Sequence, residues 1–283
     1  MASPCIRSRD ISNTDFFPMF SLSGKPAVIT GAASGIGLAI SRRFIAQGAQ
    51  VLMVDRREEG AELAAECGAQ FFQADVSSGE QARAMLRVAD AHFGPPAILI
   101  NNAGIQPLGV KFADLTDSVI ERTLAVNVQS VIYALKHAAL LADNGRIINI
   151  ASFVGSIATP AASVYAASKA AVIHLTRLGA IELAPRGITV NAVSPGTVRT
   201  PAVTGIPDNP EIPFIEQRTP LRRLCEPDEV AGLCQFLASD AAAYITGQNI
   251  GIDGGLTAGW TAYDLLTPSN IENGKWIDDR ACA

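Results

Sequence analysis

The sequence has little of what marks a membrane, secreted, metal-dependent or nucleic-acid-binding protein. Its longest apolar runs, such as 97–100, reach only strand length, far below the roughly 20 residues that cross a bilayer. The five cysteines form no C-x-x-C pair, and the three histidines match no metal-ligand spacing. The formal net charge is -5, and the sequence has no cluster of Lys or Arg that could form a basic surface for binding nucleic acid. We therefore expect free thiols, no metal site, no membrane span and no nucleic-acid partner.

The N-terminal residues also lack the pattern of a targeting peptide. Their apolar patch, 16–22, is interrupted by Pro18 and Ser21, which does not fit a secretory signal. An organelle transit peptide is rich in arginine and poor in acids, so Asp10 and Asp15 count against that alternative. We interpret 1–21 as an N-terminal extension and expect a cytoplasmic protein.

What the sequence does have, from about residue 25, is an alternation of short β-branched runs with longer helical patterns. This alternation is typical of βαβ units around a parallel sheet. Seven strands are predicted, each apolar on both faces, at 27–30, 50–54, 69–74, 97–100, 146–150, 189–193 and 249–252. The predicted helices are 35–47, 57–66, 79–92, 117–141, 162–184 and 228–237. The expected fold class is α/β, with a doubly wound seven-stranded parallel sheet and helices on both faces.

One domain, 22–256, accounts for the whole alternating series, because no Gly-, Pro- or Ser-rich linker divides it. Segment 195–219 follows the sixth strand and contains five prolines, so we expect an irregular loop. Ligands of doubly wound sheets bind at the carboxyl ends of the strands, which predicts that this loop covers a substrate. The tail, 257–283, holds both tryptophans and is expected to dock on the domain or a neighbouring subunit, with disorder near its end as the alternative.

A glycine-rich turn, Thr-Gly-Ala-Ala-Ser-Gly-Ile-Gly at 30–37, joins the first predicted strand to the first helix. Glycine permits a tight turn and a close approach of the backbone to a pyrophosphate. The N–H groups and dipole at the start of the helix would stabilise the phosphate charge. The candidate cofactor-binding residues here are Gly31, Ser34, Gly35, Ile36 and Gly37.

Asp55 ends the second predicted strand, roughly 20 to 25 positions past the glycine turn, where a carboxylate can accept hydrogen bonds from the adenosine ribose hydroxyls. Its charge would repel the 2′-phosphate of NADP. Arg56 and Arg57 keep NADP as an alternative, because a basic neighbour can pair with that phosphate. The sequence favours NAD over NADP.

Tyr165 and Lys169 are four residues apart in a predicted helix and therefore share one face. A phenol with an ordinary pKa near 10 is a poor base at neutral pH, but a fixed ammonium nearby favours the phenolate. The pair fits a general acid/base that exchanges a proton with a hydroxyl or carbonyl oxygen. Taken alone, however, a Tyr-x-x-x-Lys pair is most often a surface feature.

Further motifs follow in order along the chain, beside the glycine turn at 30–37 and Tyr165 with Lys169: Asp75-Val76, Asn101-Asn102-Ala103-Gly104, Asn127, Ser152, Pro195-Gly196 and Asp253-Gly254-Gly255. Together these motifs make the chain resemble the short-chain dehydrogenase/reductase family, in its single-domain branch of roughly 250 residues. The resemblance covers about residues 22–256 and implies a three-layer Rossmann fold.

The resemblance implies a role for each matching residue. Tyr165 would be the general acid/base, and Ser152 would position the substrate oxygen. Lys169 would lower the pKa of Tyr165 and hold the nicotinamide ribose, while Asn127 would support a water behind Lys169. The other implied cofactor contacts are Asp75 and Val76 at the adenine, Asn101, Asn102, Ala103 and Gly104 beside the adenosine half, and Pro195, Gly196, Val198 and Thr200 around the carboxamide.

These observations predict an NAD(H)-dependent oxidoreductase that interconverts a secondary alcohol and a ketone. The residues expected to line the substrate pocket are mostly apolar and favour a small or cyclic alcohol: Gln106, Pro107, Phe153, Val154, Gly155, Ile157, Ala162, Val203 and the loop to Phe214. The cations Arg199, Arg218, Arg222 and Arg223 are candidates for binding an anionic substrate, although surface or structural roles are expected for them. A sugar or polyol dehydrogenase and a non-catalytic dinucleotide sensor are the alternatives. The resemblance also implies a homotetramer formed through helices 117–141 and 162–184 and the final strand.

Overall fold

The computed structural model describes residues 18–259, together with the backbone of a short antiparallel strand pair, β8 (Ile271–Glu272) and β9 (Lys275–Trp276). Most of the predicted extension and tail therefore lies outside the described residues. Where the extension is described, the ring of Phe20 packs on Phe236, with 6.4 Å between centroids, and its carbonyl accepts a hydrogen bond from Gln235.

Seven parallel strands form the central sheet in the order β3-β2-β1-β4-β5-β6-β7. The strands are β1 (Pro26–Thr30), β2 (Gln50–Asp55), β3 (Gln70–Gln73), β4 (Ile98–Asn101), β5 (Arg146–Ile150), β6 (Thr189–Pro195) and β7 (Asn249–Ile252). The chain builds outward from β1 in one direction and then returns to build from β4 in the other. This topology confirms the predicted α/β, doubly wound Rossmann fold, and its switch point between β1 and β4 is where such sheets bind ligands.

Nine α-helices occur within the described residues and cover the sheet. They are α1 (Gly35–Ala46), α2 (Gly60–Cys67), α3 (Gly79–Phe93), α4 (Asp117–Leu124), α5 (Ser130–Lys136), α6 (Ser163–Leu183), α7 (Pro201–Thr204), α8 (Glu211–Arg218) and α9 (Pro227–Ala238). Side chains that alternate along each strand point to opposite layers. Ile29 packs with Phe44 of α1 and Val230 of α9 on one face, whereas Val28 packs with Leu86 of α3 and Ala180 of α6 on the other.

The two edge strands differ from the prediction that every strand is apolar on both faces. The five inner strands are almost wholly buried because helices cover them on both sides. β3 reads Gln-Phe-Phe-Gln and β7 reads Asn-Ile-Gly-Ile, and both are only partly buried. Each has a neighbouring strand on one side only, so polar residues and glycine are tolerated there.

Two predicted segments also differ in detail. The single helix predicted at 117–141 is divided by a π-helical turn, Ala125–Gln129, and its α-helical part ends at Lys136. Segment 195–219, predicted as an irregular loop, contains the helices α7 and α8. Pro201 lies in the first turn of α7, where a missing N–H costs nothing, so proline there starts a helix instead of breaking one.

Candidate active site

A cleft of about 1290 Å³ lies at the carboxyl ends of the inner strands. This volume exceeds the roughly 300–1,000 Å³ typical of a site for one small molecule, so a dinucleotide and a substrate can share the cleft. Nearly all the predicted catalytic and cofactor-binding residues line it. The three exceptions among them are Gly37, Asn101 and Asn127, which lie behind the lining.

The glycine turn forms the cleft wall at the start of α1. Gly31 and Gly35 have φ angles of 65° and 52°, a region that favours glycine. A Cβ on Gly37 would lie 2.2 Å from the carbonyl oxygen of Gly31, so the turn closes only with glycine there. Ser34 caps α1 without a side-chain hydrogen bond, which leaves the first N–H groups of the helix available. This cradle fits the pyrophosphate of a dinucleotide.

Thr30 and Asn102 fix the base of the glycine turn. The Thr30 hydroxyl donates to the Ile100 carbonyl and accepts hydrogen bonds from the N–H groups of Asn102 and Ala103 at 3.0 and 3.1 Å. The Asn102 amide donates to the carbonyls of Thr30 and Gly31. Thus Asn102 ties β4 to the turn, whereas the amide of its neighbour Asn101 donates to Asn149 inside the sheet.

Asp55 is buried at the end of β2, and both of its carboxylate oxygens are held by backbone donors. Oδ2 accepts from the N–H of Ala33 at 3.0 Å, and Oδ1 accepts from the N–H of Arg57 at 3.0 Å. The guanidinium of Arg57 lies 3.5 Å from Oδ1, and Arg56 also lines this end of the cleft. The carboxylate therefore faces the cleft in a fixed position beside two cations.

Asp75 and Val76 line the cleft next to Asp55. The hydroxyl and N–H of Ser77 donate to Asp75 Oδ1 at 2.6 and 2.9 Å, and these bonds hold the pKa of Asp75 below its usual range.

Tyr165, Lys169 and Ser152 meet near the middle of the cleft. Tyr165 and Lys169 extend from one face of α6, with the Lys169 Nζ 5.8 Å from the centre of the phenol ring. Burial raises the pKa of Tyr165, because it removes water from the phenolate, while a hydrogen bond from the Ser152 hydroxyl opposes that rise; the lowering expected from Lys169 is not seen. Lys169 Nζ donates to the Ile150 carbonyl at 2.7 Å, and burial lowers the pKa of its ammonium to about 8.

Asn127 joins three segments behind Lys169. Its Oδ1 accepts from the N–H of Ile105, and its Nδ2 donates to the Ile105 carbonyl and to the Ser168 hydroxyl, each at 2.9 Å. Ser168 in turn donates to the carbonyl of Tyr165. Asn127 lies in the π-helical turn. This turn places the amide where it can contact both the β4–α4 loop and the helix that carries Tyr165.

The end of β6 and the segment that follows it line the cleft with Pro195, Gly196, Val198 and Thr200. A Cβ on Gly196 would lie 3.0 Å from the Cα of Asp253, so the motif that follows β7 packs against this segment. Val198 forms a bridge with Cys225, and Thr200 caps α7. Both contacts fix the position of this segment in the cleft lining.

The substrate end of the cleft is mostly apolar, as predicted, but not all of the residues predicted to line it do so. Gln106, Phe153, Val154, Ala162, Val203 and Phe214 line it, whereas Pro107, Gly155 and Ile157 do not. The four candidate arginines lie outside the lining, and two of them pair elsewhere: Arg199 with Glu226 and Arg223 with Glu229.

The sequence interpretation missed four polar residues that the structure brings to the site: Thr30, Ser168, Thr197 and Glu211. Thr30 begins the glycine turn at the end of the first predicted strand, and Ser168 lies three residues after Tyr165. Because both lie within predicted motifs, their proximity to the site could have been predicted from sequence. Thr197 and Glu211 meet across 14 residues of chain in the segment predicted to be irregular.

Among the described residues, no group of three or more His, Cys, Asp or Glu side chains could hold a metal ion. In that part of the chain, none of the helices combines the length and the apolar composition that a bilayer-spanning helix requires. The described cysteines, Cys67, Cys225 and Cys234, are free thiols, while Cys5 and Cys282 lie outside the described residues.

Comparison with known proteins shows the family. A family model described as enoyl-(acyl carrier protein) reductase matches residues 31–257. A solved short-chain type dehydrogenase/reductase from Mycobacterium marinum superposes with a TM-score of 0.80 at 37% identity, over 86% of this chain and 99% of that one. The chain belongs to the short-chain dehydrogenase/reductase family. It is therefore an oxidoreductase that acts on CH–OH groups, in a family of dehydrogenases that use nicotinamide dinucleotides.

Two other relatives in this family have names that specify a substrate. Galactitol 2-dehydrogenase (L-tagatose-forming) of Cereibacter sphaeroides is 39% identical over 254 residues, 86% of this chain and 99% of that protein. Cis-4-hydroxycyclohexanecarboxylate dehydrogenase of Sinomonas cyclohexanicum is 37% identical over 240 residues, 82% of this chain and 96% of that protein. A further short-chain type relative, y4vI of Sinorhizobium fredii, is longer, and the match spans 43% of its length.

Proposed function

We propose that the protein is an NAD(H)-dependent dehydrogenase that interconverts a secondary alcohol and a ketone, with Tyr165 as the general acid/base. The observation that carries this proposal is that Ser152, Tyr165 and Lys169 meet in a cleft whose other end presents the glycine cradle and Asp55. A dinucleotide sensor without catalysis would have no use for the first three residues.

In the oxidation direction, the Ser152 hydroxyl donates a hydrogen bond to the substrate oxygen, and the phenolate form of Tyr165 accepts the proton of the substrate hydroxyl. A bound nicotinamide ring supplies the acceptor for the hydride. Lys169, as an ammonium, favours the phenolate and holds the nicotinamide ribose. Asn127 acts as a positioning residue, because its contacts join Ile105 to the helix that carries Tyr165. In this proposal it also supports a water behind Lys169.

The preference for NAD rests on Asp55. Its carboxylate is buried and fixed by two backbone N–H groups, so it cannot easily move away from a bulky anion. It accepts hydrogen bonds from ribose hydroxyls and repels a 2′-phosphate at the same place. Arg56 and Arg57 reduce that repulsion without removing it.

The substrate is a small or cyclic secondary alcohol, because apolar side chains such as Phe153, Val154 and Val203 form most of the substrate end. The two relatives with specific names act on a cyclic hydroxy acid and on a polyol. A polyol dehydrogenase is the second candidate, and a specific observation favours it: an acidic side chain, Glu211, lines the same end of the cleft.

The enzyme acts as a cytoplasmic homotetramer in this proposal. Leu124, Ile132, Leu178 and Ile181 are exposed apolar side chains on α4, α5 and α6, the helices through which the family forms its larger interface. The partly exposed β7 supplies the second interface. The free thiols among the described cysteines fit a reducing compartment.

The proposal is tested by following NADH formation at 340 nm with secondary alcohols, cyclic alcohols, polyols, sugars and hydroxy acids, with NAD and NADP in parallel. We expect turnover on one class and a higher kcat/KM with NAD. A higher kcat/KM with NADP would contradict the role of Asp55. Binding of NADH without turnover of any compound would favour the sensor.

A further inference from the structure

Glu211 is a charged side chain in the substrate end of the cleft that none of the proposed catalytic steps uses. It is the first residue of α8 and lines the cleft together with Ser152 and Tyr165. Its Oε1 accepts a hydrogen bond from the Thr197 hydroxyl at 2.9 Å. No hydrogen bond from a described residue reaches Oε2, so one carboxylate oxygen keeps its capacity to accept.

The position of Glu211 is fixed by its neighbours. The buried Asn209 accepts a hydrogen bond from the Glu211 N–H at 3.0 Å, and its own amide donates to the Val203 carbonyl at 2.9 Å. Thr197, which anchors Oε1, is also buried and directly follows Gly196 at the end of β6. The carboxylate is therefore held by both the sheet and the loop, as a recognition group needs to be.

The charges that line the cleft are unevenly distributed. Asp55, Asp75 and their neighbouring cations lie at the adenosine end, and Lys169 points at the Ile150 carbonyl. Of the described residues that line the cleft, Glu211 is the one acid at the substrate end. None of the ion pairs within the described part of the chain includes it. Its charge is close enough to Tyr165 to help raise the pKa of the phenol.

We propose that Glu211 determines substrate specificity by accepting a hydrogen bond from a second hydroxyl group, so that the enzyme selects neutral diols and polyols. The inference rests on the proposed function and deepens it. A mono-alcohol offers no donor to Oε2 of the partly buried carboxylate, which costs transition-state affinity relative to a diol. A hydroxy acid brings a second negative charge next to Glu211 and is rejected by repulsion.

The test compares kcat/KM for three substrates of similar shape, namely cyclohexane-1,2-diol, cyclohexanol and 4-hydroxycyclohexanecarboxylate. We expect the wild type to prefer the diol over cyclohexanol by about 10- to 100-fold. In Glu211→Leu this preference falls to near unity, and in Glu211→Gln the hydroxy acid gains about tenfold relative to cyclohexanol. Glu216→Gln, on the same helix but outside the cleft lining, serves as the control and keeps the wild-type ratios.

Ratios between substrates cancel losses that affect every substrate alike, and NADH binding reports whether each variant is folded. Equal kcat/KM for the diol and cyclohexanol in the wild type would overturn the inference and leave the proposed function intact. An unchanged preference in both Glu211 variants would do the same. Absence of turnover on every compound with either cofactor would instead overturn the proposed function, and the inference with it.

Discussion

The Lys169 side chain is buried and carries a charge, and the loss of folding stability caused by burying that charge can be measured. Its ammonium has one hydrogen-bond acceptor among the described residues, the Ile150 carbonyl, and burial lowers its pKa from 10.5 to about 8. The native state therefore binds fewer protons than the unfolded chain between about pH 8 and pH 10.5. Stability contributed through this group is lowest below pH 8 and recovers as pH rises through that window.

We predict that Lys169→Met removes this pH dependence. The free energy of unfolding of the variant minus that of the wild type should fall by about 2 kcal/mol between pH 7.5 and pH 9.5, because only the wild type regains stability as its native lysine loses the proton that the unfolded lysine keeps. Chemical denaturation at both pH values measures the difference. Lys136→Met, at an exposed position of α5, is the control. Equal slopes in wild type and Lys169→Met would contradict the lowered pKa.

Residues whose role depends on local chain geometry could be predicted from sequence, whereas residues whose role depends on distant partners could not. Gly31 and Gly35 form a turn within a few positions, and Tyr165 and Lys169 share a face through helical periodicity alone. The Glu211 carboxylate is positioned by a hydrogen bond from Thr197. The Asn102 amide holds the glycine turn through a hydrogen bond to Gly31, 71 residues away in sequence. No pattern in the sequence states those contacts.

At the scale of elements, α1 and its glycine turn depend on close packing of the backbone. Gly37 lies within the helix α1, where glycine is unfavourable. It is nevertheless required, because a side chain there would collide with the Gly31 carbonyl and the Asn102 amide. Gly232 in α9 faces α1 as well, but a Cβ there would meet only the flexible end of Arg43 at 3.6 Å or more. Close backbone packing therefore requires glycine at position 37 but not at position 232, and alanine substitutions can test this difference.

We predict that Gly37→Ala weakens NADH binding at least tenfold and lowers the melting temperature, since the turn must open to admit the methyl group. Gly232→Ala should leave binding unchanged and raise stability by up to about 1 kcal/mol, because alanine favours the helix. Fluorescence titration with NADH and thermal unfolding measure both effects. Normal NADH affinity in Gly37→Ala would argue against this turn as the pyrophosphate cradle.

The elements that the sequence did not predict are those where tertiary contacts override local preference. Hydrophobic periodicity runs through 117–141 and so predicts one helix, but the hydrogen bonds of Asn127 to Ile105 and Ser168 coincide with a π-helical turn. In 195–219 the prolines suggested an irregular loop. The structure instead uses Pro201 and Pro210 at helix starts, where proline is compatible with helical geometry.

At the scale of the whole molecule, the sheet is covered on both faces, yet apolar side chains remain exposed on one flank. Ile181 of α6 is 73% exposed and Leu178, one turn earlier, is 43% exposed. Ile132 of α5 adds a third apolar group at 42%. Such exposure on the family's interface helices supports the proposed tetramer.

We predict that Ile181→Glu reduces the molar mass in solution from four chains to two or one, because burying the new carboxylate at an interface costs several kcal/mol. Light scattering after size-exclusion chromatography measures the mass. Ala65→Glu, which adds the same charge at an exposed position of α2, should remain tetrameric. A wild-type mass of one chain would contradict the proposed assembly.

The central claim is that Tyr165 transfers the proton in an NAD-dependent alcohol oxidation, and Tyr165→Phe tests it most directly. The variant keeps the ring and loses only the hydroxyl, so NADH binding measured by fluorescence should be preserved. NADH formation at 340 nm with the best alcohol should fall by at least about 1,000-fold in kcat, within the range expected on losing a general acid/base. Preserved binding with lost turnover is the predicted result, whereas turnover near the wild-type rate would contradict the mechanism.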